Sequence, residues 1–98
     1  MTDQRVARLA RLLVDYSVEV QSGDRVAIVS TPAAAPLVLP VYERVLERGG
    51  HPELALSLPG IEEVYYRVAS DEQLDFVSPI QRLIFEDYDV LLNIRSET

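Results

Sequence analysis

Few residues in this chain are of types that carry chemistry, and each has a plainer structural use. The sole histidine, His51, sits in the string Gly49-Gly50-His51-Pro52. One imidazole without matched ligands does not make a typical metal or catalytic site, so a turn or packing role is expected. Ser57 and several aspartates are present, but no spacing ties them to His51 as a nucleophilic triad. Adjacent carboxylates occur at Glu62-Glu63, Asp71-Glu72 and Glu86-Asp87. The first two pairs fall in expected first helical turns, where acids complement the macrodipole. Neighbouring helical residues also point in different directions, which disfavours paired acid-base or metal work. Ser30-Thr31-Pro32-Ala33-Ala34-Ala35-Pro36 stands where a phosphate loop would follow a strand, yet it has no glycine for close backbone approach. Dinucleotide binding is therefore disfavoured. Ser30 and Thr31 beside a helix start could hold a small anion, although the simpler role for Thr31 is capping. Tyr65-Tyr66, Phe76, Phe85 and Tyr88 are expected to pack in a core or an interface.

The composition that surrounds these residues narrows the classes further. The 98 residues are 48% hydrophobic and 26% charged, too apolar for disorder and enough for one domain. Nine arginines, no lysine and sixteen acids give a formal charge of -7, with the arginines interspersed among acids. A phosphate backbone needs clustered positive charge, so no nucleic-acid partner is expected. Cysteine is absent, which removes disulfides and thiolate sites. The start, Met1 to Arg5, shows no signal-like apolar core, and the apolar run Pro32 to Tyr42 is short and holds three prolines. A cytoplasmic protein with no membrane partner is the expectation.

The elements that must position these residues follow from periodicity. Val6, Leu9, Ala10, Leu13, Ser17 and Val20 mark one stripe of a first helix, expected over about Asp3 to Val18 with Thr2 as N-cap. After the turn Gln21-Ser22-Gly23-Asp24, Arg25 to Ser30 reads as a strand covered on both faces. A second helix follows the Thr31 to Pro36 loop and runs to Arg48; Pro40 should remove a backbone bond and kink it, and Gly49-Gly50 ends it. Glu53 to Leu58 reads as a second strand, with leucines on one face and small residues on the other. Ser70-Asp71-Glu72-Gln73 and Ser78-Pro79-Ile80-Gln81 both read as capping boxes. They imply helices near Ile61 to Val68, Asp71 to Val77 and Pro79 to Glu86, before a last strand from Asp89.

Strands separated by helical crossovers run parallel, so an α/β fold is expected: three-layer and doubly wound, with three parallel strands in the order 2-1-3. The ligand crevice of such sheets lies beyond the carboxyl ends of the strands, at the tips of the first and third. The third strand ends within a few residues of Thr98. Residues 1–98 are therefore expected to be an incomplete part of a larger domain. Asn93, Arg95, Ser96 and Glu97 would then open a loop completed elsewhere.

Several strings carry a resemblance. They are Leu9 to Val20, the turn Ser22-Gly23-Asp24-Arg25-Val26, Gly49-Gly50-His51-Pro52, and Ala69-Ser70-Asp71-Glu72-Gln73-Leu74-Asp75-Phe76. In that order they resemble the beginning of the thermophilic aminopeptidase family of metallopeptidases, the group that contains aminopeptidase T. The resemblance implies an N-terminal α/β domain ahead of a separate catalytic domain whose Glu, His and Asp residues hold two divalent metal ions, zinc, cobalt or magnesium. It implies release of N-terminal amino acids from peptides, a homodimer, and a scaffold, dimerisation or access-gating role for this part. No position here matches a metal ligand of the family, so no catalytic, cofactor-binding or metal residue is assigned and the chain alone is expected to be inactive. A self-contained flavodoxin-like module for a small ligand or protein partner remains the alternative.

Overall fold

The computed structural model describes residues 3–95. Its elements are α1 (Gln4–Arg11), a π-helical segment (Leu12–Ser17), β1 (Arg25–Ser30), a 3₁₀ turn (Pro32–Ala34), α2 (Ala35–Glu47), β2 (His51–Leu56), α3 (Ile61–Val68), α4 (Asp71–Asp75), α5 (Pro79–Asp87) and β3 (Val90–Ile94). The three strands form a parallel sheet in the order β2-β1-β3. Fold class, strand direction and order are those the sequence implies.

One face of the sheet is closed by a compact apolar layer. Val26 and Ile28 of β1 and Leu92 and Ile94 of β3 point at Val38, Val41 and Val45 of α2, with Ala10, Val14 and Val20 completing the cluster. Burial of such branched side chains is worth about 1.5–3 kcal/mol each, so this layer holds the fold. The first helix differs from the expected single α-helix to Val18. It changes to π geometry at Leu12, and the amides of Val18 and Val20 donate to the carbonyls of Leu13 and Val14. A wider turn rephases the stripe: Ala10 and Val14 are buried, whereas Leu9 and Leu12 are exposed. Asp3 is the N-cap, its carboxylate accepting from the Arg5 amide at 2.8 Å, and the expected cap Thr2 lies outside the described residues.

Turns and ends also refine the expectations. α2 runs through Pro40 without a break in the helix. It ends in a Schellman motif: the Gly50 amide donates to the Val45 carbonyl and the Gly49 amide to that of Leu46, with Gly49 at φ 83°. β2 begins two residues earlier than Glu53 and stops at Leu56, because it is held in register with β1 from Arg25 opposite His51 to Ser30 opposite Leu56. The first capping box forms fully, Ser70 accepting from the Gln73 amide at 3.2 Å and Gln73 from the Ser70 amide at 2.9 Å. The second does not form: Ser78 makes no side-chain cap, and Pro79, which needs no partner for an N–H, starts α5 instead. Thr31 precedes the 3₁₀ turn but does not cap it with its hydroxyl.

The helices after β2 flank the sheet but bury nothing of their own: α3, α4 and α5 contain no buried residue. Tyr66, Phe76 and Phe85 are 71%, 68% and 74% exposed, so among the described residues these aromatics build no core. The radius of gyration, 15.2 Å, exceeds the roughly 13 Å of a compact domain this long, as an extended helical segment requires.

Candidate functional site

The carboxyl ends of the strands end in a crevice of about 240 Å³. Val29 and Ser30 of β1 form its floor, and Asn93 of β3 lies in register beside Val29. Ser57 to Gly60, the turn after β2, makes one wall; Ser57 is held there by its amide, which donates to the Ser30 carbonyl at 2.8 Å. Gly60 takes φ 93° and begins α3 with no side chain to cap it, which leaves room at that helix start. Glu62 and Glu63 of the first turn of α3 and Arg95, just past β3, complete the rim.

This is the position that parallel α/β topology reserves for ligands, because at β1 the chain leaves toward β2 while β3 lies on the other side. The polar groups are of both signs. The Arg95 guanidinium approaches Glu62 at 3.8 Å and donates from Nε to Asn93 Oδ1 at 3.3 Å. Both members of that ion pair are more than 60% exposed, 62% for Arg95 and 71% for Glu62, so water screens it and it holds the crevice only loosely. Below the rim, Ser30 is 1% exposed and its hydroxyl donates to the adjacent Thr31 carbonyl at 3.2 Å. The Thr31 hydroxyl is buried with no hydrogen-bond partner among the described residues.

A smaller cavity of about 130 Å³ between α1 and α2 is also lined by both signs, Arg11 and Arg44 with Glu43 and Glu47, but it lies away from the strand tips. A cleft of about 340 Å³ between α3 and α4 is lined by Val64, Tyr65, Val68, Ala69, Gln73 and Phe76, with no charged group to orient a ligand. Tyr65 instead braces the cleft, its hydroxyl donating to the Gln73 carbonyl at 2.9 Å and its ring meeting Tyr66 edge-on at 5.3 Å.

The residues singled out in the sequence are mostly kept apart. His51 opens β2 at the amino end of the sheet, opposite the crevice, where its amide donates to the Asp24 carbonyl at 2.7 Å. Ser57 does reach the crevice, but His51 does not. Of the acidic pairs, Glu62-Glu63 lines the crevice, while Asp71-Glu72 lies in the first turn of α4 and Glu86-Asp87 ends α5. Among the described residues no group of three or more His, Asp or Glu side chains could hold a metal ion, so the donor set of a divalent-metal centre is not met there.

A second polar cluster was not foreseen. Arg44 of α2 grips Asp15 of the π segment through two hydrogen bonds of 2.9 and 2.7 Å, and Arg48 reaches the same carboxylate at 3.8 Å while donating to the Val20 carbonyl. The fork from Arg44 holds the Asp15 carboxyl below the usual carboxylate range, and the Arg44 guanidinium is correspondingly raised. The sequence offers no periodic signal for it, because the two residues are 29 apart and meet only when α1 and α2 pack.

No curated protein matches the chain. Residues 2–98 match the family model described as thermophilic metalloprotease.

Proposed function

The chain belongs to the thermophilic metalloprotease family, and from that membership we propose that it is a non-catalytic α/β part of a metal-dependent aminopeptidase that releases N-terminal amino acids from peptides. Peptide hydrolysis and use of divalent metal come with the family. The finer reading concerns what these residues contribute. The match over residues 2–98 supports the metallopeptidase part of this reading; in the proposal the metal ligands lie in polypeptide outside residues 1–98, and no reaction step is assigned to these residues. Its part is a scaffold that shapes access to the catalytic site, assembles as a homodimer and works in the cytoplasm. The broad exposed apolar surface of α3 to α5 supports a docking role. No described helix is long and apolar enough to cross a membrane.

The purified 98-residue chain should fold yet leave aminoacyl chromogenic substrates intact with or without added zinc, cobalt or magnesium. Chelator-sensitive hydrolysis by the pure chain would overturn the scaffold reading. A second reading, a small-ligand module of flavodoxin-like topology, is favoured by the crevice at the tips of β1 and β3.

A further inference from the structure

The crevice is rimmed by charges of both signs. Arg95 and Asn93 stand at the tip of β3, and Glu62 and Glu63 stand on the first turn of α3. A simple anion would meet two carboxylates there, and a simple cation would meet a guanidinium; each would gain one favourable contact and suffer one unfavourable. A small molecule bearing both charges a few bonds apart satisfies both the guanidinium and the carboxylates.

We propose that the strand-tip crevice binds a free α-amino acid as its zwitterion. The carboxylate takes the Arg95 guanidinium, whose planar fork suits it, with the Asn93 amide beside it. The ammonium group faces Glu62 and Glu63. Binding replaces the Arg95 to Glu62 contact, which at 3.8 Å and in open solvent gives up little. Val29, Leu58 and Pro59 supply an apolar wall for the side chain, and a volume of about 240 Å³ admits one of moderate size. The strand-tip position at β1 and β3 agrees with where parallel sheets take ligands. The site rests on the crevice and not on the peptidase reading; where both hold, the ligand is of the class that the hydrolysis releases.

Nitrogen-15 labelled chain titrated with L-leucine tests this, alongside the two single-charge halves of leucine, 4-methylpentanoate and 3-methylbutylamine. Leucine should shift the amide signals of Ser30, Ser57, Gly60 and Asn93 in a saturable way, and each half should bind about tenfold more weakly or not at all. Arg95→Gln and Glu62→Gln, both at exposed positions, should each weaken leucine binding about tenfold or more while leaving the remaining spectrum unchanged. Equal binding by either half would reduce the crevice to a site for one charge and overturn the proposal. So would unaltered binding by both variants, or no saturable shift with leucine. Because no arm measures hydrolysis, a failure here leaves the peptidase reading standing, and the reverse also holds.

Discussion

Asp15 is the residue on which the packing of the two N-terminal helices turns electrostatically. Its carboxylate is 14% exposed and held in a bidentate grip by Arg44, with Arg48 nearby, so the ionised form is favoured in the folded state. A carboxyl whose folded pKa is depressed adds stability that is present above its unfolded pKa, about 3.9, and is lost as pH falls through the folded value. Asp15→Asn should therefore lower the urea midpoint more at pH 7 than at pH 3, flattening the acid limb of the stability curve. Equal losses at both pH values would mean that the carboxylate charge is not what Arg44 needs. The crevice residues behave differently. Arg95 and Glu62 are too exposed for their pairing to govern stability, which leaves them free to serve a ligand.

At the scale of elements, two Ser-x-x-Gln strings of the same pattern have different outcomes. Ser70 and Gln73 exchange both hydrogen bonds of a capping box, while Ser78 makes none with its side chain. Ser70→Ala should cost the start of α4 about 1 kcal/mol, read as faster hydrogen exchange at the Gln73 and Leu74 amides. Ser78→Ala should leave exchange in α5 unchanged, because Pro79 already fixes the first helical residue. A comparable loss in both variants would show that the second box forms in solution. The π turn is a further element-scale device: by widening the helix after Arg11 it brings Val14 into the core and Asp15 onto Arg44.

For the whole molecule, the contrast between its two parts matters most. The sheet, α1 and α2 share one closed core, whereas α3 to α5 present Ile61, Val64, Tyr66, Phe76, Ile80 and Phe85 to solvent. Apolar side chains exposed in this number support the homodimer proposed above. Light scattering should show mass rising with concentration, and the double variant Phe76→Ser, Phe85→Ser should suppress that rise. Since neither ring is buried, the unfolding free energy should change little, by about 0.5 kcal/mol or less per substitution. A wild-type chain that stays monomeric at every concentration would remove association through this surface.

The sequence determined what depends on neighbours along the chain. The six residues of β1 and the eight of α3 fall where their patterns place them, Gly49-Gly50 closes α2, and helical crossovers made the strands parallel in the order 2-1-3. The crevice was legible as a place, through Ser30, Thr31, Asn93 and Arg95, because topology sets where ligand clefts lie. Tertiary structure decided what depends on distant partners. Register with β1, not the Leu-rich pattern, fixed the limits of β2, and the packing of α1 on α2 brought Asp15 to Arg44 across 29 positions. It also left the aromatic residues of α3 to α5 outside the core, since an apolar pattern states that a face must be covered but not by what.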